Sequence, residues 1–573
     1  MTDFDIRISG GTIVDGTGAP GQTGDVGIVD GRIAALGKVK GSAKVIIDAQ
    51  GQVVCPGFVD IHTHYDAQVL WDRMLSVSPW HGVTTAVMGN CGFGLAPTRP
   101  EHRELILRTL QKVEGMDLQA LEAGVGSDWP FVSFGDYLSA VERQGVAVNV
   151  AAYVGHTPVR LFVMGEDAAE RRATGEEIEA MCDIVKDAVD AGALGFASSK
   201  AGAHVGFGGK PVPSRLAEPE EFAALGEALG RTERGVLQMT VGPGDFLAEL
   251  RELAEISGRT LTWTALLAGL WGPGSHREYL ARTAALQRQG INVVPQVSCR
   301  PLRFEFDLEE PFPLESLPIV AALNSLDRAG RKARYAQTEF RTQFREAVAD
   351  LDAERGTSFW ERTDLTFVPQ APELLGVSVA EAARQRKRDP ADLFLELAVD
   401  SDLAMRASWA LMNDDEDEVE ELLRDPHTVL ALSDAGAHAN QLCDACFSTH
   451  LLGHWVRERG ALSLPEAVRM LTSRPAEVVG ITDRGLLAEG RPADVVVFDP
   501  DTVGPSSLQR VNDLPAGADR LIAEARGIKA VIVNGKLIRD QGGDLLGSAE
   551  ALPGRVLRNG AATASIEQEV HQE

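Results

Sequence analysis

Along most of the chain, short and nearly continuous apolar runs alternate with longer stretches whose apolar residues recur at helical spacing. The apolar runs are Gln52 to Ile61, Val83 to Met88, Ala147 to Val154, Ala193 to Ala197, Val236 to Val241, Thr260 to Leu266, Asn292 to Val297 and Val429 to Leu432. Amphipathic segments such as Glu176 to Ala191 and Pro219 to Arg231 lie between several of them. Strands apolar on both faces, separated by helices, make a parallel sheet from βα units. The pattern therefore predicts an α/β fold, a (β/α)8 TIM barrel, with its active site at the carboxyl ends of the strands.

The two chain ends have a different texture. From Phe4 to Ile47, alternating segments are separated by Gly-Gly, Asp-Gly and Gly-Ser turn signals, and similar segments return at Asp494 to Phe498 and Ala530 to Asn534. Neither end has enough strands to bury a face alone. The expectation is one small β-sandwich made from residues 1–55 and 485–545, flanking a barrel over 56–484. Residues 546–573 are left as a C-terminal tail, expected to fray after Pro553. Between the seventh and eighth strands the connection from Arg300 to Thr428 is far too long for one helix. It predicts an inserted subdomain at about 301–428, of the kind that covers an active site as a lid.

Composition narrows the class. A chain of 573 residues with 44% hydrophobic and 24% charged residues has room for a barrel plus a second unit. No apolar run approaches the roughly 18 residues of a membrane span, and the Met-Thr-Asp-Phe-Asp-Ile start has no signal-like segment, so a cytoplasmic protein is expected. The net charge of -28 argues against nucleic acid and anionic membranes as partners. Six cysteines are too few for a disulfide framework and are read as reduced thiols or metal ligands.

The candidate chemistry sits at strand ends. His62 and His64 end the first run, and residues i and i+2 of a strand point to one face, so both can grip one metal ion. Cys91 follows the second run among glycines and is a candidate thiolate ligand, with a small buried hydrophobe as the alternative. Asp434 follows the eighth run; it can bind metal and shuttle a proton, or cap a helix. His156 after the third run is a candidate for stabilising charge or orienting substrate, against a structural hydrogen bond. Lys200 and His204 follow the fourth run and are candidate substrate contacts, as is Arg300 after the seventh, which can clamp a carboxylate or form a salt bridge to the acidic insert.

Together the motifs Pro56-Gly57-Phe58-Val59-Asp60-Ile61-His62-Thr63-His64, Gly89-Asn90-Cys91-Gly92, Tyr153-Val154-Gly155-His156, Ser433-Asp434-Ala435-Gly436-Ala437-His438 and Gly490-Arg491-Pro492-Ala493-Asp494 resemble the amidohydrolase superfamily. In detail they are similar to its N-acyl-D-amino-acid deacylase (D-aminoacylase) branch. The resemblance implies a metal-dependent barrel that hydrolyses amide bonds, with a β-sandwich built from both termini. Members of that branch carry a metal-binding histidine at the end of strand five and another at the end of strand six. Neither Leu237 to Gly242 nor Leu261 to Leu266 contains one. The expectation is therefore an amidohydrolase with one divalent metal ion, zinc for preference, held by His62, His64, Asp434 and Cys91, acting on a small-molecule substrate such as an N-acyl amino acid. Asp434 would be its acid and base. A different reaction on the same barrel (deamination, decarboxylation or cyclisation), a noncatalytic binding descendant and a homo-oligomeric state stay open.

Overall fold

The computed structural model describes residues 3–546 and 551–562. Among them, eight strands form one parallel sheet in sequence order. They are β1 (Phe58–Asp60), β2 (Val83–Met88), β3 (Asn149–Gly155), β4 (Gly195–Ser199), β5 (Val236–Thr240), β6 (Leu261–Thr264), β7 (Val293–Val297) and β8 (Val429–Leu430). All but the last residue of β5 are buried, as parallel strands covered on both faces require. Beyond the ends of β1 and β8 the exits are tied together: Thr63 bridges Ala435 in parallel, and the His64 N–H donates to the Ala435 carbonyl at 2.8 Å. The Ser433 hydroxyl donates to the His62 carbonyl at 3.1 Å. The arrangement fits a TIM-like barrel, with the exits of β1 and β8 side by side at its mouth.

The first apolar run behaves as two strands. Val53–Pro56 pairs with Val495–Phe498 outside the barrel, and β1 begins only after Gly57. A Cβ on Gly57 would stand 2.0 Å from Thr84 Oγ1, so the chain passes β2 too closely there for any side chain.

Both chain ends contribute to one nine-stranded sheet, in which Val53–Pro56 lies between Phe4–Ile13 and Val495–Phe498. Ile6, Ile8, Val26, Ile28, Val54, Val495, Val497 and Ile532 pack together on it. Between β7 and β8, Leu302–Phe306, Thr363–Phe367 and Arg406–Met412 form an antiparallel three-stranded sheet. With neighbouring helices it encloses a separate apolar cluster that includes Phe306, Phe340, Phe344, Phe359, Trp360, Phe394 and Trp409.

The segment after Pro553 departs from the expected frayed tail as far as residue 562. Val556 bridges Val150 of β3, Leu557 is fully buried, and Arg558 donates to the Ala191 carbonyl at 2.6 Å. Two apolar residues on one short segment suffice to seat it against the barrel. The rest of that expected tail lies outside the described residues. Among the described residues no helix is long and apolar enough to cross a membrane. Three helices matter for the site: α1 (Arg103–Val113), α2 (His156–Met164) and α3 (Pro219–Arg231).

Candidate metal centre

The exits of β1 and β2 bring His62, His64 and Cys91 together, and the exit of β8 sets Asp434 beside the two imidazoles. His62 Nε2 lies 3.3 Å from Asp434 Oδ1, and His64 Nε2 lies 3.8 Å from the same oxygen. Cys91 Sγ is 3.4 Å from His62 Nε2. The donor atoms of His62, His64 and Cys91 all fall within 4.8 Å of one another. Two imidazoles, a thiol and a carboxylate are a donor set suited to zinc or a first-row neighbour and not to calcium or magnesium, which take oxygen.

A second layer orients these donors. Gln296 Oε1 lies 2.6 Å from His62 Nδ1, and its own amide nitrogen donates to Thr262 Oγ1 at 3.2 Å. Glu114 Oε1 lies 3.2 Å from His64 Nδ1. Each imidazole thus has its Nδ1 side engaged, which leaves the Nε2 lone pair for a cation. Gln238 Oε1 accepts the Cys91 backbone N–H at 2.7 Å and donates through Nε2 to Thr264 Oγ1 at 3.2 Å. Cys91 (φ 57°), Asp434 (φ 45°) and His438 (φ 47°) all hold left-handed backbone conformations. Such geometry costs a non-glycine residue about 1 kcal/mol or more and persists where the surroundings over-determine it. Gly436 explains part of the turn after β8: at φ 99°, a Cβ there would sit 2.5 Å from the His64 carbonyl oxygen.

Charge is distributed unevenly over this cluster. Burial lowers His62 to about 3, and His64 nearby adds to the effect, so the imidazole is neutral and ready to ligate. Burial also opposes charge on His64, but the Glu114 carboxylate and Cys91 outweigh it and push that imidazole well above its ordinary range. Burial likewise acts against ionised Glu114, yet His64 holds it below the usual carboxylate range. The Asp434 carboxyl is raised by burial to about 6, only partly offset by His64. Burial lifts the Cys91 thiol, with His64 opposing. A cation at this point would displace the His64 and Cys91 protons.

These donors line a cavity of about 180 Å³ together with Glu114, His204, His438, Asp444, Thr240 and Thr264. His204 reaches it from the loop after β4, with Nδ1 2.7 Å from Ser199 Oγ and its ring edge-on to Phe93; burial lowers it to about 4 despite Glu114. The ends of β5 and β6 present Thr240 and Thr264, whose hydroxyl oxygens are 3.5 Å apart.

Three residues considered from the sequence stand elsewhere. His156 opens α2 and is fully buried between strands and helices: Nδ1 meets Ser198 Oγ at 2.7 Å, Nε2 meets Glu221 of α3 at 2.8 Å, and Glu221 also pairs with Arg160. Its ring packs against Phe196 and Phe222, so it braces the barrel wall instead of facing the cavity. Lys200 turns outward to Glu249, its ammonium 5.3 Å from the Phe222 ring. Arg300 donates through Nε to Asp444 at 2.8 Å; Asp444 lines the cavity and Arg300 stands behind it.

Other site residues were not singled out from the sequence. Glu114, the C-cap of α1, and Asp444 come from segments whose position depends on packing, and nothing local marks them. Gln238 and Gln296 do carry a signal: each is a lone, fully buried amide flanked by apolar strand residues, and a buried amide needs partners.

Comparison with known proteins agrees with the geometry over nearly the whole chain. The family model described as amidohydrolase family matches residues 45–304 and 378–539. A D-aminoacylase of Alcaligenes xylosoxydans xylosoxydans is 30% identical over 543 residues, covering 93% of this chain and 94% of that protein. An N-acyl-D-aspartate deacylase of the same organism is 30% identical, covering 97% of this chain and 96% of the relative. Among solved structures, a D-aminoacylase studied for its binuclear metal centre, with one-metal activation and second-metal attenuation, superposes with a TM-score of 0.66 at 28% identity, covering 96% of this chain and 99% of that one. An N-acyl-D-glutamate deacylase from Bordetella bronchiseptica, complexed with zinc and a phosphonate mimic of the tetrahedral intermediate, gives 0.65 at 27%, covering 97% and 99%.

Proposed function

The chain belongs to the amidohydrolase family, and from that premise we propose that it hydrolyses the amide C–N bond of a small molecule, an N-acyl amino acid or a related amide. The observation that carries this reading is the convergence of His62, His64 and Cys91 donor atoms within 4.8 Å, with Asp434 beside them. We assign these four residues to a single zinc ion. When bound, the ion supplies Lewis acidity, lowering the pKa of water towards about 7 and polarising the scissile carbonyl. The Asp434 carboxylate, beside the two imidazoles, would take the proton of the attacking water and return it to the leaving nitrogen. Gln296 and Glu114 keep the two imidazoles in the tautomer that ligates. His204 and His438 border the space left for substrate.

The same reading treats residues 1–55 and 485–545 as a β-sandwich unit, 56–484 as the barrel and 301–428 as a subdomain over its mouth. It makes the protein a cytoplasmic enzyme of small molecules without nucleic-acid or membrane partners. The test is elemental analysis alongside an amide-hydrolysis screen. About one zinc per chain is expected, lost together with activity in His62→Ala. Two tightly held ions per chain would refute the single-ion assignment.

A further inference from the structure

Asn413, the residue after the insert's strand Arg406–Met412, joins three stretches of the cavity wall. Ala265 and Leu267 beyond β6, Ser298 beyond β7 and Leu302 of the insert all line the cavity. β6 ends at Thr264 and β7 at Val297, so the wall residues beyond them are positioned by what their loops bind. Asn413 is only 2% exposed and touches each of these stretches. Its Nδ2 donates to the Ser298 carbonyl at 3.0 Å and to the Arg300 carbonyl at 2.8 Å. Its Oδ1 accepts the Ala268 N–H at 2.9 Å, and its own N–H donates to the Ala268 carbonyl at 2.9 Å. The preceding residue, Met412, pairs with Leu302. The start of the insert, its end and the loop after β6 thus meet on one carboxamide.

Two features select asparagine here. The backbone sits at φ 63°, in the left-handed region that few side chains other than asparagine and aspartate visit readily. The carboxamide offers an acceptor for the Ala268 N–H and two donors for the Ser298 and Arg300 carbonyls, whereas a carboxylate would turn an acceptor towards both carbonyls. We propose that Asn413 is a positioning residue for the reaction at this site: it fixes Leu267, Ser298 and Leu302, and so holds the apolar side of the cavity against the group carried by the substrate's carbonyl. The reaction in this statement rests on the amidohydrolase reading; the hold on the wall rests on the hydrogen bonds alone.

The test compares Asn413→Gly and Asn413→Asp, in the full-length protein, with Asn149→Ala. The last removes another buried amide, at the opposite end of the barrel, where Asn149 donates to Thr84 and Asp494. Glycine keeps the left-handed backbone and deletes the carboxamide; aspartate keeps the shape and the acceptor without the donors, and reports if the glycine variant does not fold. The probes are acetohydroxamic acid and isovalerohydroxamic acid, titrated by calorimetry into the zinc-loaded proteins. Both offer the ion the same hydroxamate, and the second carries isobutyl in place of methyl. In the wild type and in Asn149→Ala the larger group should gain at least about tenfold in affinity from apolar area buried on Leu267 and Leu302. In the Asn413 variants the gain should shrink to about threefold or less, with zinc and acetohydroxamic acid bound as in the wild type. Hydrogen exchange at residues 265–268 and 298–302 should quicken in the Asn413 variants and not in Asn149→Ala. No gain from isobutyl in the wild type, an undiminished gain in the Asn413 variants, or an equal loss in Asn149→Ala would each overturn the inference. Should zinc-loaded wild type bind neither hydroxamate, the metal-dependent amidohydrolase reading falls, and exchange alone decides whether Asn413 holds the wall.

Discussion

The two halves of the barrel mouth are built to different standards. At the exits of β1, β2 and β8, four metal-type donors converge and three are braced by Gln296, Glu114 and Gln238. Next to Cys91, at the ends of β5 and β6, the chain presents two threonine hydroxyls. One side can hold and tune a cation; the other can accept or donate a hydrogen bond and little more. The fold therefore sets its metal-type donors at the exits of β1, β2 and β8 and leaves hydroxyls at those of β5 and β6.

That contrast fails most visibly if Asp434 is not the proton carrier. Asparagine keeps the shape and an oxygen for the metal but cannot take a proton at neutral pH, so Asp434→Asn should lower kcat by at least about a hundredfold with the ion largely retained. Turnover and metal content measured on one folded preparation check this; near-normal turnover would leave the ligand-rich side without its catalytic role.

Glu114→Gln sharpens the comparison next. Losing the carboxylate behind His64 should weaken zinc binding by about 10–100-fold, read by competition with a chromophoric chelator. An unchanged affinity would make Glu114 a bystander. The pH dependence of metal binding has a definite sign for the same reason. His64 has its proton affinity raised by Glu114, so a cation competes with that proton more severely as pH falls. Affinity should drop by about tenfold per pH unit for each proton displaced, and calorimetry in two buffers of different ionisation enthalpy counts those protons. Affinity that is flat across neutral pH would contradict a charged His64.

The smallest effects are expected on the threonine side. Thr240→Val and Thr264→Val should both leave the metal content unchanged. Thr264→Val removes the acceptor of the Gln238 amide and should cost about 1–3 kcal/mol of stability, against a few tenths for Thr240→Val, as denaturant unfolding would show. Loss of metal in either variant would mean that this rim carries more of the site than its chemistry suggests.

The barrel strands were legible because apolar runs of strand length bounded by turn residues depend on local sequence alone. His62, His64, Cys91 and Asp434 were legible for a related reason: each is tied to the exit of a strand, and the fold puts all such exits at one mouth. A strand end gives height along the barrel but not direction. His156, Lys200 and Arg300 share that height, yet one turns into the helix layer, one outward, and one stands behind Asp444. Glu114 and Asp444 arrive through packing of loops and helices with no local signature. The division of the run from Gln52 to Ile61 into two strands turns on a single close approach at Gly57, which only the neighbouring β2 reveals.

The pairing of Val53–Pro56 with Val495–Phe498 also constrains how the molecule comes into being. On the ribosome the N-terminal strands emerge early, but their central partner is made only after the whole barrel, hundreds of residues later. Until then the Val53–Pro56 edge has an unfilled row of hydrogen-bonding groups immediately before β1, so strand pairing with other nascent chains competes with completion of the fold. Synthesis that stops short of Phe498 yields a product with that edge permanently open, and quality-control machinery would meet it as an aggregation-prone fragment rather than as a shortened enzyme.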